Sequence, residues 1–124
     1  MDIISPNIFV QDMHKTIAFY QLLGFKIITK VPQEGDIDWA MMSCGNVTFM
    51  FQTFTSLGNA FPAISRQKGG SLLLYIQVKE IRKLYEQIKD HVTVIKGLEV
   101  AFYGATEFCI QDINDYILIF AEDE

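Results

Sequence analysis

The chain has 124 residues, half of them hydrophobic, with 15 acidic against 10 basic side chains and a formal charge of −5 at pH 7. That length holds one domain or two fused half-domains, and so oily a chain, with a mean hydropathy of +0.20, offsets the entropy of ordering and is not disordered. With no basic run longer than Arg82-Lys83, long-range attraction to a phosphate backbone or an anionic membrane is excluded, so neither nucleic acid nor membrane is an expected partner.

The first periodic element is Ile3 to Val10, a strand with Ile8 and Val10 on one face and Ser5, Asn7 and Phe9 on the other. Asp12 is the expected N-cap of a helix running to about Leu22, where Met13, Ile17 and Tyr20 recur at helical spacing and Gly24 supplies the stop. Phe25 to Val31 alternates as a strand, and Pro32 to Asp38 is a polar turn. Trp39 to Met42 and Val47 to Phe54 are then strands joined by Ser43-Cys44-Gly45-Asn46. The stretch 55–70, with Gly58-Asn59, Pro62 and Gly69-Gly70, has the composition of a linker. Beyond it, Leu72 to Val78 predicts a strand and Lys79 to Lys89 a helix with Ile81, Leu84, Tyr85 and Ile88 on one face. His91 to Lys96, Glu107 to Gln111 and Ile117 to Ala121 complete the strands, the last two joined by the turn Asp112-Ile113-Asn114-Asp115.

The order repeats. Aligning Val10-Gln11-Asp12-Met13 with Val78-Lys79-Glu80-Ile81 gives a displacement of 68 residues, and Ile27-Ile28 then meets Val94-Ile95 within a residue. Two β-α-β-β-β units, about 1–54 and 71–124, are expected, each with a helix over one sheet face, their free faces forming an open cup. Strand parity sends Ser5, Asn7, Phe9, Thr48, Met50 and Gln52 to the cup in the first unit, and Leu73, Tyr75, Gln77, Ile117, Ile119 and Ala121 in the second.

Residues of catalytic type form no recognisable set. Cys44 and Cys109 have no CxxC or Cys/His spacing and are expected as reduced core residues. His14 and His91 fall at helix ends and are expected to face solvent. Glu34, Asp36 and Asp38 lack calcium-loop spacing and form a solvated acidic loop. Gly69-Gly70 precedes a strand without GK[ST], no G-x-S-x-G elbow occurs, and Cys109 has no base near it in sequence. No apolar run nears the ~20 residues of a membrane span and the N-terminus has no basic-then-apolar leader, so a cytoplasmic location is expected.

The segment PNIFVQDMHKTIAFYQLLGF resembles the opening of the vicinal oxygen chelate superfamily, in which a strand, an aspartate and a helix ending in Phe-Tyr and Leu-Gly-Phe recur, here Asp12, Phe19-Tyr20 and Leu23-Gly24-Phe25. YGATEFCIQDINDY resembles its closing segment through Tyr103-Gly104, Glu107-Phe108 and Asp112. The resemblance implies an α+β fold, a single 1–124 domain of two tandem βαβββ modules forming an open curled sheet cup, often assembled as a homodimer. The family includes glyoxalase I, extradiol dioxygenases, fosfomycin-inactivating enzymes and bleomycin-sequestering proteins. Its enzymes hold a divalent metal with His, Gln or Glu on the first and last strand of each module. Those positions fall here at Ser5, about Met50, Leu73 and Ile119, which are not a plausible ligand set.

What the cup offers instead is aromatic and amide chemistry: Phe9, Trp39, Tyr75 and Tyr103 as flat surfaces, Asn7, Gln52 and Gln77 as hydrogen-bonding groups, with Met50 and Glu107 beside them. The expectation is a small-molecule binding or sequestering protein of the bleomycin-resistance-like branch, with no metal or other cofactor and no assigned catalytic residue. Its ligand would be amphipathic, aromatic or cationic. One alternative is a glyoxalase-like lyase or dioxygenase whose metal is held by Gln52, Gln77 or Glu107; another is a ligand-free structural or regulatory dimer.

Overall fold

The computed structural model describes residues 1–123. It consists of two compact units, 1–68 and 69–124, that share the order β-α-β-β-β, the first followed by one more helical turn. The first comprises β1 (Asn7–Val10), α1 (Met13–Leu22), β2 (Lys26–Val31), β3 (Trp39–Cys44), β4 (Val47–Thr53) and the single turn α2 (Phe54–Leu57). The second comprises β5 (Leu73–Gln77), α3 (Ile81–Ile88), β6 (Thr93–Val100), β7 (Ala105–Gln111) and β8 (Ile117–Asp123). Each has a four-stranded mixed sheet, ordered β1-β4-β3-β2 and β5-β8-β7-β6, whose first strand runs parallel to its last. The α+β fold of two βαβββ modules expected from the sequence is therefore present.

The Leu23-Gly24-Phe25 signature has a physical reason. Gly24 at φ +103° reverses the chain, its N–H bonding the Gln21 carbonyl at 3.0 Å and the Phe25 N–H that of Tyr20 at 2.9 Å. This satisfies the orphan carbonyls of α1 and folds Phe25 onto Tyr20, ring centroids 5.5 Å apart. Tyr20 is fully buried and also meets Phe51 at 4.7 Å, while Phe25 and Phe49 stack at 5.3 Å. With Ile8, Val10, Ala40, Met42 and Ile17 they form an aromatic-rich core beneath α1. The second core is more aliphatic: Ile76, Ile81, Ile88, Ile110 and Leu118 pack around Phe108 and Phe120, whose rings stack at 5.0 Å.

Several boundaries differ from expectation. The first strand begins at Asn7 rather than Ile3, because Pro6 has no N–H for a ladder, although its carbonyl accepts from Met50 N–H at 2.8 Å. Ser5 thus lies outside the strand. The 55–70 stretch is not a plain linker: Thr53 caps α2 by accepting the Ser56 N–H at 3.1 Å, so Phe54 starts a helical turn instead of ending β4. The Arg66 guanidinium then gathers the following loop, donating to the carbonyls of Gly58, Phe61 and Ile64 at 3.0, 2.8 and 2.6 Å and to that of Ala60. The helix expected over Lys79–Lys89 is trimmed to α3, since Glu80 sits at φ +56°. β6 extends past Lys96 through Gly97 to Val100, with register shifts on either side of Lys96, and β7 starts at Ala105 rather than Glu107. Cys109 is buried as expected; Cys44 is only half-buried.

Candidate functional site

In each sheet the helix covers one face, and alternation leaves the opposite face open. On β1 and β4 of the first unit, Ile8, Val10, Phe49 and Phe51 are buried, whereas Asn7 is exposed and Phe9, Met50 and Gln52 are half-buried. Register brings five of the residues singled out above together: Asn7 opposite Met50, and Gln52 between Phe9 and Trp39. Asn7 Nδ2 donates to Gln52 Oε1 at 2.9 Å, which leaves the Asn7 carbonyl oxygen and the Gln52 amide N–H groups as acceptor and donors. Two neighbours were missed: Met41, directly opposite Met50, and Phe54, whose ring lies 6.2 Å from Phe9. Strand parity from Trp39 marks Met41; Phe54 joins only because α2 turns the chain. This face is a thioether and aromatic platform with an amide pair at its edge.

The open face of the second unit carries the other four. Tyr75 on β5 and Glu107 on β7 are separated by β8, so the Tyr75 side chain must cross β8 for its O–H to reach Glu107 Oε2 at 2.7 Å. The small Ala121, opposite both Gln77 and Glu107 and only 1% exposed, leaves room for that crossing. Tyr103, from the β6–β7 turn, donates to the same Glu107 oxygen. Glu107 raises both phenols above their ordinary pKa, first by accepting their protons in hydrogen bonds; desolvation adds to the shift. Burial pushes the Cys109 thiol up, with Lys96 opposing, which disfavours the nucleophilic thiolate. Gln77 lies in the same cross-strand row as Glu107 and borders an open depression of about 310 Å³ lined by Gln77, Val78, Lys79, Ala121, Glu122 and Asp123. The register partner Glu99, across β6 and β7, lies beyond Lys96, where the strand was expected to end.

The metal-ligand positions named from the family resemblance do not fit a divalent ion. Met50 offers a thioether, Leu73 and Ile119 are aliphatic, and Ser5 precedes β1. No three His, Cys, Asp or Glu side chains are grouped to hold a metal among the described residues. Such ions need several converging anionic oxygen, thiolate or imidazole donors. His14, in the first turn of α1, and His91, after α3, are both exposed.

Each unit is thus a βαβββ module with its helix on one face of a four-stranded sheet. The model of the Glyoxalase/Bleomycin resistance protein/Dioxygenase superfamily matches residues 3–120, and the chain belongs to that superfamily, the vicinal oxygen chelate group. Among solved structures it is similar to a protein of unknown function from Agrobacterium tumefaciens, at 23% identity and TM-score 0.80, over 100% of this chain and 95% of that one. It is similar also to the bleomycin resistance determinant of transposon Tn5, at 20% identity and TM-score 0.72, over 100% and 99%. A bleomycin-binding protein complexed with bleomycin matches at 20% identity and TM-score 0.67, over the whole of both chains. These likenesses show the fold. No curated protein sequence is significantly similar to the chain. No helix among the described residues is long and apolar enough to cross a membrane.

Proposed function

We propose that this member of the superfamily is a small-molecule binding or sequestering protein that works without a metal. Its ligands are amphipathic, with a flat apolar part: on the open face of the first unit Phe9, Trp39 and Met50 give the apolar contact and Asn7 and Gln52 the orientation, and on that of the second Tyr75 gives the contact and Gln77, Tyr103 and Glu107 the orientation. The observation that carries this reading is the donor set: where the resemblance places metal ligands stand Ser5, Met50, Leu73 and Ile119, while the faces around Met50 and Ile119 are aromatic and amide-bearing. Pockets of this composition bind by apolar contact, with a few polar groups fixing orientation. The superfamily membership and the likeness to a bleomycin-binding protein support small-molecule binding at the level of the family. We further propose that it acts as a homodimer in the cytoplasm.

Native mass spectrometry with elemental analysis, on protein made in metal-supplemented medium and purified without chelator, tests this. A co-purifying organic molecule, a dimer mass and no stoichiometric divalent ion are expected. A stoichiometric ion would overturn the metal-free reading in favour of a lyase or dioxygenase. A ligand-free dimer that no drug-like cation at saturating concentration stabilises thermally would make it a scaffold.

A further inference from the structure

Glu107 stands on the open face of the second sheet, half-buried, with no basic side chain paired to it among the described residues. Its cross-strand partner is another carboxylate, Glu99, which has Lys96 at 3.7 Å. Like charges directly opposed on a sheet are unfavourable, and the fold meets that charge with two phenols rather than with a lysine or arginine. Tyr75 and Tyr103 both donate to Glu107 Oε2. A phenol solvates an anion without neutralising it, and Oε1 is left to accept from something else. The two rings, 49% and 55% exposed, flank the carboxylate. Ala121, the register partner of Glu107 on β8, borders a depression together with Gln77. On its rim Lys79 is outnumbered by Glu122 and Asp123.

We propose that Tyr75, Tyr103 and Glu107 form a binding site for an organic cation, a quaternary or protonated amine, whose apolar body occupies the depression beside Gln77 and Ala121. This rests on the small-molecule reading above and names the chemical class of its ligand. An anionic group next to electron-rich rings attracts a diffuse cation through both the carboxylate and the ring faces. A hard metal ion would find one carboxylate and two neutral phenols, too few anionic oxygens to replace its water.

The experiment titrates the dimer or monomer as purified with choline, and with its uncharged isostere in which a tert-butyl group replaces trimethylammonium, following ligand methyl resonances by NMR. Choline is expected to bind about tenfold more tightly than the isostere, from the summed ring and carboxylate attraction. Glu107→Gln, which keeps the shape, should abolish that preference. Tyr75→Phe should keep part of it, because the ring remains, and Tyr75→Leu should keep less. Far-ultraviolet circular dichroism and the melting temperature report whether each variant folds; if Glu107→Gln does not, the Tyr75 pair carries the test. Equal binding of charged and uncharged probes, no binding of either, or a preference that survives in Glu107→Gln and Tyr75→Leu, overturns the proposal. If native mass spectrometry meanwhile shows a neutral bound molecule, the small-molecule reading stands and only the cation site falls.

Discussion

The two helices are capped by different means, and the second offers a sharp test. Asp12 caps α1 itself, Oδ1 accepting the Lys15 N–H at 3.0 Å from an extended backbone. Its counterpart Glu80 sits at φ +56° and its side chain makes no capping bond. Glu122 of β8 supplies the cap instead: Oε2 accepts the Glu80 N–H at 2.9 Å and Oε1 the Ile81 N–H at 3.0 Å. Glu122→Ala removes two bonds to a carboxylate at the positive end of a helix, a loss of about 1 to 2 kcal/mol. With an unfolding entropy of about 2.1 cal/mol/K per residue, the 124 residues turn that into a fall in melting temperature of about 4 to 8 °C. Differential scanning calorimetry measures it, with Asp12→Ala, expected to lose about 1 kcal/mol, as the matched local cap. Glu80→Gly should raise the melting temperature, since a non-glycine residue in the left-handed region costs about 1 to 2 kcal/mol. A Glu122→Ala protein melting within about 1 °C of the parent, while Asp12→Ala falls by the amount expected for its lost cap, would refute the assignment of the α3 cap to β8.

Three further outcomes are expected. Asp112 is 4% exposed and its Oδ1 accepts the Asn114 and Tyr116 N–H groups, each at 2.8 Å, within the β7–β8 turn; Asp112→Ala should cost about 2 to 3 kcal/mol in urea unfolding, because buried donors lose their acceptor. Gly69→Ala should destabilise by a similar or larger amount, as a β-carbon there meets the Asp115 backbone oxygen at 3.0 Å and φ is +85°; a neutral result would contradict the packing of that turn. The Tyr75 and Tyr103 phenols, raised by Glu107, add stability that is complete below their unfolded pKa of about 10 and is lost as pH rises through the raised folded values. Glu107→Gln should therefore shift the tyrosinate absorbance titration to lower pH, and an unchanged curve would contradict the clasp.

Periodicity and punctuation carried most of the fold into view. The aspartate cap, the Leu-Gly-Phe stop and alternating strands are local devices, so the first helix and the duplicated βαβββ order were readable without tertiary information. Errors fell where tertiary contacts override local signals. The strand expected to end at Lys96 runs on through Gly97, in a bulged strand with the Tyr85 hydroxyl 3.2 Å from where the Gly97 β-carbon would be. Glu80 looked like a second Asp12, yet its backbone conformation and the Glu122 carboxylate make it a different kind of helix start. On the open faces, parity placed individual residues, but the Asn7–Gln52 pair and the convergence of Tyr75 and Tyr103 on one oxygen depend on side chains crossing between strands. Strand alternation contains no such information.

The contrast between the two modules bears on what duplication leaves free to change. Under the helices both units must bury an apolar layer, and both do, one with phenylalanines around Tyr20 and the other with isoleucines around Phe108. The open faces carry no such demand, and there the units differ in kind: neutral amides and thioethers on the first, phenols around a charge on the second. The Glu107 carboxylate opposes Glu99 in register, an unfavourable pairing on a sheet, and it is held there by two phenol donors rather than by core packing. A like-charge pairing that the core does not require is where ligand recognition is to be sought, and by that criterion Glu107 ranks ahead of Met50.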